Sequence, residues 1–119
     1  MGTIIFGLLL IAIVWLFVNQ MLPAKGVRQI STAELKTLLK QNDCQFIDVR
    51  TPQEFKAKHI RGFKNIPLSH LMNRQHELSK EKEIVVICQT GARSNRAAKM
   101  LKKAGFAKLA NVKGGISAW

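Results

Sequence analysis

The chain has 119 residues, 47% of them apolar and 22% charged, with Lys and Arg totalling 19 against 7 Asp and Glu. These figures exclude a large multidomain enzyme, a disordered polyampholyte and a disulfide-stapled secreted miniprotein. The two cysteines, Cys44 and Cys88, form no C-x-x-C pair, and with three scattered histidines they provide no metal-ligand spacing.

The amino-terminal stretch stands apart from the rest. Residues 1–24 contain no charged side chain, so the whole net charge of +12 belongs to Lys25–Trp119. From Ile4 to Val18 every residue is apolar or Gly, and Asn19 to Leu22 continue uncharged to Pro23. A helix needs roughly 20 residues at ~1.5 Å each to cross a ~30 Å hydrocarbon core, so the run predicts one transmembrane helix within residues 1–24. No Lys or Arg precedes the run and Leu22, Pro23 and Ala24 make a poor cleavage site, which argues against a signal peptide. Lys25, Arg28, Lys36 and Lys40 follow the run, and positive charge stays on the cytoplasmic side. The expected topology is therefore single-pass in the cell membrane, amino terminus out, with residues 25–119 in the cytoplasm. A basic domain held at an anionic leaflet gains about 1 kcal/mol per Lys or Arg near the surface. No helix-turn-helix, zinc-finger or aromatic RNA-binding signature accompanies the charge, so nucleic acid is not an expected partner.

Residues 25–119 are the size of one small domain, which buries roughly 60% of its unfolded surface. Gly26 marks the linker, and Val27–Ile30 reads as a short strand. Ser31 and Glu34 have the spacing of a capping box, with Leu35, Leu38 and Leu39 following on one helical face. Phe46–Val49 is an apolar run of strand type. Thr51 and Glu54 form a second capping box, with Pro52 at the first helical position. Ile66 and Pro67 predict a short strand and a stop, then a helix around Ser69–Arg74. Ile84–Ile87 is fully apolar and β-branched, as a central parallel strand requires. Ser94–Ala104 is amphipathic, with Ala97, Ala98, Leu101 and Ala104 inward, and Gly105 ends it. Leu109–Val112 is the last strand, and Gly114 and Gly115 turn into a final helix. This alternation predicts an α/β domain with a mainly parallel central sheet flanked by helices.

Ligands in such folds bind beyond the carboxyl ends of the strands, which singles out the segment Cys88-Gln-Thr-Gly-Ala-Arg93 and Ser94. There a cysteine leaves a buried strand at the start of a helix. Loop amides converging on its sulfur, together with the positive helix end, favour thiolate over thiol. Gly91 lets the backbone turn inward, and Arg93 supplies a planar cation suited to an oxyanion. Cys44 has no such context and reads as a small core residue.

These residues resemble a single-domain rhodanese, a sulfurtransferase. The resemblance covers residues 27–119 and none of the apolar run. It rests on Ile47-Asp-Val-Arg50 with Thr51-Pro-Gln-Glu54-Phe55, on His59-Ile-Arg-Gly62, on Asn65-Ile-Pro67, on the cysteine loop, and on Gly114-Gly115-Ile116 with Trp119. The order and spacing together are specific. The resemblance implies that Cys88 takes a sulfane sulfur and holds it as a persulfide. It implies that Gln89, Thr90, Gly91, Ala92 and Arg93 line the pocket, with Arg93 binding an anionic donor such as thiosulfate. Asp48, Arg50 and Ser94 support the loop. No cofactor or metal is implied. The expected partners are a small anionic sulfur donor or a protein persulfide, a thiol or cyanide-like acceptor, and the lipid bilayer. His59 reads as a turn-ordering residue, and the capping box accounts for Glu54. Phe63 stands where the family usually has Ala and Lys58 where Gly is common, and relatives usually continue through a closing helix beyond the position of Trp119.

Two other functions share the fold. One is a cysteine-dependent phosphatase of the dual-specificity cell-cycle type, whose loop has one more residue between Cys and Arg than Gln89 to Ala92 provide. The shorter loop suits a sulfur atom better than a tetrahedral phosphate. The other is a non-catalytic rhodanese module that docks proteins at the membrane. Such modules commonly lack the cysteine.

Overall fold

The computed structural model describes residues 2–21 and 25–119. Helix α1 (Gly2–Met21) precedes a domain built from β1 (Val27–Ile30), α2 (Thr32–Leu39), β2 (Cys44–Asp48), α3 (Pro52–Ala57), β3 (Lys64–Asn65), β4 (Glu83–Ile87), α4 (Ala92–Lys103), β5 (Leu109–Val112) and α5 (Gly115–Ala118). The five strands form one sheet in the order β1-β5-β4-β2-β3, and every pair of neighbours is parallel.

The apolar run of β4 explains its central place. Ile84 and Val86 pack into the core on one face with Ala97, Ala98 and Leu101 of α4. Val85 and Ile87 enter the core on the other face with Leu35 of α2, Phe63 and Ile116. These four β4 side chains are fully buried, as a strand covered on both sides requires.

Both capping boxes form. The Ser31 hydroxyl accepts from the Glu34 amide at 3.1 Å, and the Thr51 hydroxyl accepts from the Glu54 amide at 3.2 Å. The Ser31 and Thr51 amides donate back to those carboxylates. Several boundaries differ from expectation. β2 starts at Cys44, because its first residues pair with the start of β4 whatever their polarity. The strand expected at Ile66 and Pro67 lies just before them, since Pro67 has no amide to give a ladder. The helix expected around Ser69–Arg74 is two 3-10 segments, Leu68–His70 and Met72–Glu77. Leu71 between them is fully buried and fixes the segment on the sheet. Phe63 is buried and packs against Phe46, with ring centroids 5.4 Å apart, so the larger side chain fills core space.

Among the described residues no helix is long and apolar enough to cross a membrane. The spanning helix expected within residues 1–24 is thus not supported there, and the proposed boundary at residues 22–24 lies outside the described residues. The large side chains from Ile4 to Val18 are 48–73% exposed.

Candidate functional site

The site forms where β4 ends. Cys88 follows Ile87 directly and is buried, and the chain then turns through Gln89 and Thr90 to Gly91, which caps α4 in the left-handed region at φ 104°. That φ disfavours any side chain. It aims the Gly91 amide at the Cys88 Sγ, 3.0 Å away. Ser94, in the first turn of α4 and fully buried, brings its hydroxyl to 3.3 Å from the same sulfur and 3.1 Å from the Gly91 carbonyl. The sulfur therefore faces the Gly91 amide and a hydroxyl whose single hydrogen it shares with the Gly91 carbonyl, at the positive end of a twelve-residue helix.

The other side of the loop is held by α5. The Ile116 amide donates to the Cys88 carbonyl at 2.9 Å, and the Ser117 amide to the Gln89 carbonyl at 3.0 Å. The Ser117 hydroxyl adds a bond to the Gln89 carbonyl at 2.9 Å. With these carbonyls turned toward α5, the loop is free to present N–H groups to the sulfur. A Cβ on Gly115 would lie 2.2 Å from the Cys88 carbonyl oxygen, so the double glycine motif allows this close contact.

Asp48 and Arg50 are a buried ion pair at the end of β2. The Arg50 Nη2 donates to Asp48 Oδ2 at 2.8 Å and to the Lys58 carbonyl at 2.7 Å. Its Nη1 reaches the Gln89 side-chain oxygen at 3.4 Å, which ties β2 to the cysteine loop. Both residues thus support the loop and neither touches the sulfur. Lys58 has extended backbone, φ −163° and ψ 132°, which any residue adopts, so Gly is not required there. His59 stacks on Phe55 at 3.9 Å and bonds the Phe55 carbonyl through Nδ1 at 2.7 Å, a turn-ordering role.

Arg93 has a carboxylate partner. Its Nη1 and Nη2 donate to Glu54 Oε1 and Oε2 at 2.7 and 2.9 Å. The Arg93 guanidinium, with help from the Thr51 amide and hydroxyl, holds the Glu54 carboxyl at about 2, and Glu54 in turn raises Arg93 above its usual value. Glu54 therefore serves both the α3 cap and the site. Its pairing with a residue 39 positions away has no sequence signal beyond charge. Asn65 was also missed as a site residue. Its side-chain amide donates to the carbonyls of Asp48 and Arg50 at 3.0 and 2.9 Å and shapes the end of β2. Thr90 and Ala92 are exposed, and Gln89 is half-buried. Cys44 lies at the opposite end of the sheet, where burial pushes its thiol up. Among the described residues no cluster of His, Cys, Asp and Glu could hold a metal.

The sequence pattern of the rhodanese-like domain family matches residues 31–119. The uncharacterized protein YqhL of Bacillus subtilis is 47% identical over 75 residues, which are 63% of this chain and 60% of that protein. A protein named sulfurtransferase from Allochromatium vinosum is 32% identical over 94 residues, 78% of this chain and 88% of that one. A crystal structure of a rhodanese-like domain protein from Staphylococcus aureus superposes with a TM-score of 0.72 at 32% identity, covering 78% of this chain and 91% of the other. With the family pattern matching residues 31–119, well over half of the chain, the chain belongs to the rhodanese-like domain family.

Proposed function

We propose that this protein is a sulfurtransferase that carries sulfane sulfur as a persulfide on Cys88. Family membership and relatives named for sulfur transfer support that class of reaction in general. The observation that carries the finer reading is the pair of donors, the Gly91 amide and the Ser94 hydroxyl, converging on one buried sulfur. In the first half-reaction the Cys88 thiolate attacks the outer sulfur of a donor such as thiosulfate. The donor S–S bond breaks and its electron pair leaves with sulfite, while the new S–S bond forms on Cys88. In the second, a thiophilic acceptor takes the terminal sulfur and the electron pair returns to Cys88. Between the two steps the loop donors stabilise the negative terminal sulfur, as oxyanion-hole donors stabilise a developing charge. The four-residue spacing from Cys88 to Arg93 favours this cargo over phosphate.

The proposal includes a membrane location. Support comes from the uncharged run through residue 24, the exposed apolar side chains of α1 and the basic residues that follow. We place the amino terminus outside and the domain in the cytoplasm, following the charge asymmetry.

Turnover tests the chemistry. The full-length chain in detergent, given thiosulfate and cyanide, is expected to produce thiocyanate with parallel-line, ping-pong kinetics. Cys88→Ser abolishes it and Cys44→Ser spares it. Hydrolysis of aryl phosphates without sulfur transfer would favour the phosphatase reading, and neither activity would favour a docking module.

A further inference from the structure

The sulfur-transfer reading treats Arg93 as the cation that receives an anionic donor, yet both terminal nitrogens of that guanidinium are occupied by Glu54. The pair lies part-exposed at the mouth of the cysteine loop. Its carboxylate is further fixed by the Thr51 amide and hydroxyl, each at 3.1 Å, so it does not swing away as a free side chain would. The Glu54 carboxyl sits at about 2 and stays ionised throughout the neutral range. What Arg93 itself offers an incoming donor is therefore an ion pair, not a bare cation. For a dianion such as thiosulfate this removes the share of attraction that a bare Arg93 would supply against bringing two charges toward an anionic sulfur.

The surroundings of Arg93 point the same way. Arg93 joins the cysteine loop to a neighbouring cleft of about 520 Å³, lined by Leu68, Met72 and Met100 together with the exposed Arg96 and not by Cys88 itself. Thiosulfate has no apolar part to place against such a wall. An organic persulfide, R–S–SH, has a body to lie along it and at most one charge on its terminal sulfur.

We propose that Glu54 is a specificity-determining residue, which by occupying Arg93 turns Cys88 toward organic persulfide donors and away from thiosulfate. This deepens the proposed function and rests on it. In the favoured step the Cys88 thiolate attacks the terminal sulfur of R–S–SH. The donor S–S bond breaks, its electron pair leaves as R–S⁻, and Cys88 becomes Cys88–S–SH, with no further oxidant or reductant.

The test is Glu54→Gln. Glutamine retains the capping-box geometry of α3, so the fold is expected to persist, which a thermal melt verifies. Persulfide formation on Cys88 of the full-length chain is followed by mass spectrometry at graded concentrations of thiosulfate and, separately, of benzyl persulfide, whose only ionisable group is the terminal sulfur. The expected result is a rise of roughly fivefold in the preference for thiosulfate over benzyl persulfide, the size of one screened charge a few ångströms away. Most of that rise comes from a lower half-saturating thiosulfate concentration. It is lost in the double variant Glu54→Gln, Arg93→Ala and shrinks as salt is raised. A higher half-saturating thiosulfate concentration in Glu54→Gln would overturn the proposal, because it would make Glu54 a positioning residue for a donor-binding Arg93. Equal change for both donors would also overturn it, leaving sulfur transfer intact. If neither donor loads the wild-type chain, the sulfur-transfer reading fails and the proposal fails with it.

Discussion

Two glycines hold the cysteine loop for different reasons. Gly91 has φ 104°, but a Cβ there would meet only ordinary contacts, 3.5 Å from the Gly114 amide and 3.7 Å from the Val112 carbonyl. Gly115 has a milder φ of 58°, yet its Cβ would lie 2.2 Å from the Cys88 oxygen and 2.8 Å from the Gln89 carbonyl group. Backbone strain alone costs about 1–3 kcal/mol, whereas a clash with fixed backbone forces the loop to move. Gly91→Ala is therefore expected to lose about 1–3 kcal/mol in urea unfolding. Gly115→Ala is expected to lose more than about 4 kcal/mol, or to keep its fold only by displacing the loop and losing sulfur uptake. Similar small losses for both, with uptake intact, would contradict this account of the glycine pair. The sequence makes the proposed nucleophile legible, because a cysteine after a β-branched strand, followed by Gly and Arg at short spacing, is a local pattern. The contact of Ser94 with the sulfur depends on how the first turn of α4 rotates over the loop, and the Glu54–Arg93 pair depends on α3 and α4 meeting in space. Neither is local, and the complete capping box at Thr51 already gave Glu54 a sufficient role.

At the scale of elements, legibility follows the strength of the local code. β1, β5 and both capped helices begin where the hydrophobic pattern and caps place them. The segment from Leu68 to Glu77 lacks a side-chain cap at either 3-10 piece, and its shape is set by the buried Leu71 and by the ion pairs of Glu77 with Lys64 and Arg74. The large apolar side chains of α1 from Ile4 to Val18 stand exposed. In water such a surface invites association, and in a bilayer it is solvated by lipid. Protease added to intact cells is accordingly expected to leave residues 25–119 uncut, while the same protease after membrane permeabilisation degrades them. Digestion of the domain from outside the cell would reverse the proposed topology, and recovery of the whole chain in a salt-washed soluble fraction would remove the anchor.

For the molecule as a whole, the parallel sheet buries β4 on both faces and gathers the ends of β2 and β4 at one edge of the domain, with basic residues dominating the surface. Acid stability reports on the few carboxylates that this charge engages. Glu54 and Glu77 are both held at about 2, against an ordinary 4.5, Glu54 chiefly by Arg93 and Glu77 chiefly by Arg74 with Lys64. A carboxylate whose folded value is depressed stabilises the fold above its unfolded value, and that contribution is lost as pH falls through the folded value. Melting temperature is therefore expected to fall between pH 4.5 and about 2, and Glu77→Gln is expected to flatten that limb while leaving sulfur uptake alone. An unchanged acid limb would place the acid sensitivity elsewhere. The central claim is that Cys88 carries the sulfur, and intact-mass spectrometry of the full-length chain after exposure to a sulfane-sulfur donor tests it most directly. The account predicts a gain of about one sulfur (~32 Da) that cyanide removes, present in Cys44→Ser and absent in Cys88→Ser. A gain that survives Cys88→Ser, or none with either thiosulfate or an organic persulfide, would contradict it.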